Sequence, residues 1–143
     1  MPKDYVYEYL REINPTNEEE TLGAGFAFPL EVTTGGNVKV TIGETNVKSA
    51  IFHIAAYRRG DLYGTPSFGG NVPMMVFTVF SGDKLKLHEE WLQSSIEAWE
   101  PRVTDLRVTA GKDTKGNDNK VVLLTQYRVE GVDTDTYTVL PAD

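Results

Sequence analysis

Cysteine is absent from this 143-residue chain. Neither disulfides nor thiolate metal sites can form, so packing alone must hold the fold. Long apolar runs are missing too: hydrophobic residues make up 40% of the sequence, but no stretch approaches the ~18 consecutive apolar residues that a membrane span needs. Positive charge is scarce, with 14 Lys and Arg against 21 Asp and Glu, and the resulting net charge of −7 opposes contact with a phosphate backbone. Nucleic acid is therefore an unexpected partner. The two histidines, His53 and His88, fall on separate expected helices without a second ligand at metal spacing. Each reads as a packed or half-exposed helix residue, and no metal or cofactor is expected. Met1-Pro2-Lys3-Asp4 lacks the apolar region of a secretion signal. Folding in the cytoplasm follows as an expectation, although an extracellular particle would tolerate the same composition.

What is present reads as one α+β domain, residues 23–143, preceded by a separable helical arm over 1–22. Asp4 can cap a helix through about Ile13, striped by Tyr5, Tyr9 and Leu10, and Glu18-Glu19-Glu20 forms a solvated connector. Phe26, Phe28, Leu30 and Val32 alternate as a strand with one buried face, although Pro29 favours an edge or an irregularity. Thr33-Thr34-Gly35-Gly36 turns the chain, and Val38, Val40 and Ile42 complete an N-terminal hairpin. The period then changes. Val47, Ile51, Ile54 and Ala55 mark a helix from Gly43 to about Tyr57, and a Gly-, Tyr- and Pro-rich loop covers 58–70. Val72 to Phe80 is apolar on every face, so periodicity leaves it as helix or strand.

Ser81-Gly82-Asp83 caps a longer helix, with Leu85, His88, Leu92, Ile96 and Trp99 at helical spacing and Leu87 and Trp91 widening the stripe. Alternation returns at Leu106, Val108 and Ala110, then at Val121, Leu123, Tyr127 and Val129, and a short strand is expected near Tyr137 and Val139. Helices and hairpins are segregated, which predicts two main helices and a C-terminal antiparallel hairpin within a mixed or antiparallel sheet. Val121 and Leu123 face one way while Val122 and Leu124 face the other. That strand is either central and covered on both faces or buried by another subunit.

Familiar catalytic patterns are missing. Gly23-Ala24-Gly25 precedes a strand instead of opening a helix, Ser94 and Ser95 sit mid-helix, and neither a Walker lysine nor a GxSxG elbow occurs. Trp99-Glu100-Pro101-Arg102 carries the most information, because Pro101 forces the helix to stop and holds two opposite charges in a rigid bend. Such a pair can act in catalysis, staple a corner, or offer a polar fork to a partner. A glycoside hydrolase would need a second acid beside Glu100, from Glu44, Asp61 or Asp105, but Arg102 favours a charged carboxylate over a proton donor.

Gly25-Phe26-Ala27-Phe28-Pro29-Leu30, a glycine turn, a helix from Gly43-Glu44, the loop Arg59-Gly60-Asp61 to Pro66-Ser67-Phe68-Gly69, Val76-Phe77, and Trp99-Glu100-Pro101-Arg102 occur in that order. Over about Gly23 to Val129 this order resembles the baseplate wedge family of contractile phage tails, sheath initiators, contractile injection particles and type VI secretion baseplates. The resemblance implies a structural, non-enzymatic role in many copies around a ring. The Glu100-Pro101-Arg102 motif would contact the wedge core-bundle proteins, with tube or hub proteins as further neighbours. Val121, Val122, Leu123, Leu124 and Tyr127 would meet a sheath subunit by strand exchange. Assembly would take place in the cytoplasm, before incorporation into the particle. Val72-Pro73-Met74-Met75 is more apolar than the family's usual stretch, and the arm through Glu20 lies outside its pattern. Alternatives are a lysozyme-like peptidoglycan hydrolase of the tail and a soluble adaptor sharing the fold.

Overall fold

The computed structural model describes residues 22–77, 81–112, 121–131 and 136–141. The expected helix over 4–13 and the acidic connector lie outside them. Strands β1 (Ala24–Phe26) and β2 (Val40–Ile42) pair antiparallel, and an isolated bridge between Val32 and Val38 continues the same hairpin. The hairpin stands where the alternation predicts it, but its expected buried face does not exist. Phe26 is 70% exposed, Leu30 67% and Val32 65%. Within 22–32 only Leu22 and Ala27 are buried, and Pro29, lacking an N–H, interrupts a ladder otherwise carried by Ala27 donating to Lys39 and Lys39 donating to Glu31. Among the described residues this two-stranded ribbon meets α1 through Phe28, which stacks on His53, and has no layer over Phe26, Leu30 and Val32, so alternation alone cannot bury that side.

Helix α1 (Gly43–Ala56) buries Val47, Ile51, Ile54 and Ala55, the four residues its period marks. Of the apolar run from Val72 to Phe80, Val72–Phe77 form a 3-10 helix in which Val72 and Met75 turn inward and Met74 outward, and 78–80 lie outside the described residues. A three-residue turn suits that pattern, which explains why neither the strand nor the α-helical period describes it. Helix α2 (Gly82–Trp99) begins after Ser81, whose carbonyl accepts from the Lys84 and Leu85 amides. Its buried line is His88, Leu92, Ser95 and Ile96. Leu87 is exposed, so the stripe is narrower on that side than its sequence suggests.

Strands β3 (Val103–Lys112), β4 (Val121–Val129) and β5 (Thr136–Pro141) form an antiparallel sheet in the order β3-β4-β5. One face of β4, comprising Val121, Leu123, Thr125, Tyr127 and Val129, is buried in a core shared with α1 and α2. On the other face Val122 is half-buried and Leu124 exposed. The central position of β4 agrees with one of the two alternatives, but among the described residues its second face is not covered. A bulge between Thr104 and Arg107, with Asp105 at φ +50°, shifts the register and lets both Val103 and Leu106 approach the core.

His88 on α2 meets Trp91 edge-on at 5.2 Å. Burial holds its imidazole below the ordinary histidine range. The unfolded chain therefore takes up this proton near pH ~6.5, before the folded chain does, so stability is intact at neutral pH and falls as the pH drops through that value. The thermal midpoint of the wild type should decline more steeply between about pH 7 and about pH 5 than that of His88→Gln. Equal slopes would place the acid sensitivity elsewhere.

Candidate functional site

Helix α2 ends at Trp99, and the Glu100 amide makes its last turn by donating to the Ile96 carbonyl at 2.8 Å. Pro101 then bends the chain so that the Glu100 carboxylate faces Arg102 edge to edge. Arg102 Nε lies 2.6 Å from Oε1 and Nη2 2.5 Å from Oε2, while the Arg102 amide also donates to Oε1 at 3.3 Å. The remaining guanidinium nitrogen, Nη1, donates to the carbonyl of Leu22. The Arg102 carbonyl in turn accepts from the Glu130 amide at 3.1 Å. One side chain thus joins the end of α2, the entry to the first hairpin and the start of β3. The Glu100 side chain is only 3% exposed and that of Arg102 26%. The hydrogen bond from Arg102 to Glu100 raises the guanidinium pKa further, against the opposing effect of burial.

This geometry corresponds to the staple among the three uses open to a Glu-Pro-Arg bend. Both oxygens of Glu100 are engaged within the chain and closed to solvent, so neither can reach a sugar. Two of the second acids named from sequence lie beside arginines. Asp61 accepts from Arg58 at 3.0 Å, a bond that lowers its pKa, and exposed Asp105 lies 3.5 Å from Arg128. A groove of about 480 Å³ lies beside Arg58, Arg59, Asp61, Asn71, Met74 and Trp91, and Glu100 does not line it.

The loop and hairpin motifs of the resemblance converge on the same end of α2. Arg59 in the loop donates through Nη2 to Ser95 at 3.0 Å and Ser94 at 3.3 Å, while Ser95 donates to the Gly69 carbonyl at 2.7 Å. Ring pairs run from Phe28 to His53 at 5.4 Å, His53 to Tyr57 at 5.0 Å, Tyr57 to Phe68 at 5.7 Å and Phe68 to Trp99 at 5.4 Å. This seam links the hairpin, α1, the loop and the end of α2. Sequence reasoning missed it; only the four-residue spacing of His53 and Tyr57 hints at it.

The strand candidates divide. Val121, Leu123 and Tyr127 are buried in this chain's own core, while Val122 and Leu124 face outward. With neighbours on both sides, β4 has no unpaired edge; among the described residues the outer edges are those of β3 and β5. A proline at Leu123 would break this chain's own sheet before it affected a partner.

No protein-family model matches the chain, and no curated protein does. Solved structures do. A candidate tail lysozyme from Geobacter sulfurreducens is similar at 28% identity and a TM-score of 0.59, over 68% of this chain and 87% of that one. A chain of the anti-feeding prophage (AFP) baseplate shares the fold at a TM-score of 0.65 and 21% identity, over 90% of this chain and 92% of its own. These likenesses support the resemblance to the baseplate family of contractile tails. No helix among the described residues is long and apolar enough to cross a membrane.

Proposed function

We propose that the chain is a structural baseplate component of a contractile injection machine, joining the wedge to the first sheath ring and templating sheath assembly by strand exchange. The observation that carries this reading is the near end-to-end correspondence with the AFP baseplate chain. It is supported by a three-stranded sheet with outer strands at both sides and by a hairpin that leaves Phe26, Leu30 and Val32 in solvent. In this reading wedge core-bundle proteins meet the surface around Glu100-Pro101-Arg102, and a sheath subunit meets the sheet beside Val122 and Leu124. The Glu100–Arg102 clasp sets the shape of the first surface from within. Copies arranged in a ring, assembled in the cytoplasm and carried in the finished particle, complete the proposal.

The name of the Geobacter relative favours a second reading, a hydrolase of peptidoglycan. The closed carboxylate of Glu100 weighs against it. Purified protein incubated with peptidoglycan is expected to release no reducing ends. Baseplates assembled without the chain are expected to carry tubes but no sheath of normal length. Turnover abolished by Glu100→Gln in a chain that stays folded would establish the hydrolase instead, and normal sheaths on baseplates lacking the chain would end the assembly role.

A further inference from the structure

Backbone alternation determines which edge of the sheet is open. The Ala110 amide donates to the carboxylate of Glu89 on α2 at 2.6 Å, so Ala110 faces away from β4. By the two-residue period Val108 faces away as well, whereas Arg107, Thr109 and Gly111 face Gln126, Leu124 and Val122 across the ladder. Those three β4 residues then point toward β3, which turns Leu123, Thr125 and Tyr127 toward Leu140, Thr138 and Thr136. The backbones of Tyr137, Val139 and Pro141 are left facing outward. Pro141 fits this assignment, since it has no N–H to offer at an edge.

The two outer edges are unequal. β3 is bent by the bulge at Asp105, and its Ala110 donor is filled by a half-buried side chain fixed on α2. A strand approaching there would have to displace a charge-assisted hydrogen bond and leave the Glu89 carboxylate without that donor. Among the described residues β5 pairs with β4 alone. We propose that Glu89 closes the β3 edge, so that the sheet accepts an added strand only along β5. The occupant is an extended segment of another subunit that exchanges main-chain hydrogen bonds with Tyr137 and Val139. That a strand is added at all rests on the function proposed above; closure of β3 does not.

The full chain, with no partner present, tests the closure by amide-resolved hydrogen exchange and sedimentation. In the wild type, the Ala110 amide should exchange more slowly than that of Val108, and the amides of Tyr137 and Val139 faster than those of Thr138 and Leu140. Glu89→Gln keeps an acceptor and should remain monomeric. Glu89→Ala should speed exchange at Ala110 by roughly 10- to 100-fold and self-associate through the opened edge. Ala110 exchanging as fast as Val108 in the wild type would overturn the proposal without any variant. A Glu89→Ala chain that stays monomeric would overturn it too, because something else would then close β3. A wild-type chain with the expected exchange pattern that never nucleates sheath would defeat the assembly role and leave the closure standing.

Discussion

Arg102→Ala should cost the isolated chain ~3–5 kcal/mol of stability, the range for removing one partner of a buried ion pair. The reason is what the substitution leaves behind. Glu100 would be left at 3% exposure with two guanidinium bonds gone, and the Leu22 carbonyl would lose its donor. For a domain of this size the thermal midpoint should fall by roughly 10 °C, read by circular dichroism. Removing both charges in Glu100→Gln/Arg102→Met should restore part of the loss, because no buried charge is then left unpaired. From sequence alone a fork read by partner subunits predicts the reverse, an unchanged monomer and failed assembly. That result would return the motif to the interface and make the bonds seen within the chain secondary.

The elements themselves were legible where periodicity and punctuation agree. Val47, Ile51, Ile54 and Ala55 identify α1 and its buried face, and Leu92, Ile96 and the Pro101 stop identify α2. The order of hairpin, helices and C-terminal strands follows from the same signals. What periodicity cannot tell is whether a layer lies behind a strand. Phe26, Leu30 and Val32 alternate as core residues do, yet they project into solvent because, among the described residues, α1 packs on the ribbon at Phe28 and no layer covers these three. The apolar residues at both faces of β4 pose the converse case, since neighbours on each side make it central while Leu124 stays exposed. The motif Glu100-Pro101-Arg102 was visible as a rigid charged bend, but its third partner, the Leu22 carbonyl, lies 80 residues away and leaves no local mark. Arg59 reaching Ser95 and Glu89 reaching Ala110 are hidden for the same reason.

Gly69→Ala should be the most damaging single methyl addition in the loop. Gly69 sits at φ +123°, where a side chain is strained, and a Cβ there would lie 2.6 Å from the Tyr57 carbonyl oxygen and 2.9 Å from the Arg58 carbonyl carbon. Both obstacles are backbone at the end of α1 and cannot rotate away. Strain and overpacking each cost ~1–3 kcal/mol, so the sum should be ~2–6 kcal/mol. Gly64 supplies the control. It has φ +84° and nothing within 4 Å of where an added methyl would stand, so Gly64→Ala should cost ~1–2 kcal/mol from backbone strain alone. The consequences of Gly69→Ala should also spread along α2, because the Gly69 carbonyl accepts from Ser95 and Arg59, and the adjacent Phe68 packs on Trp99. Denaturant melts of the two variants separate these contributions. Equal losses for Gly64→Ala and Gly69→Ala would mean that the loop yields to the methyl and is not fixed against α1 and α2.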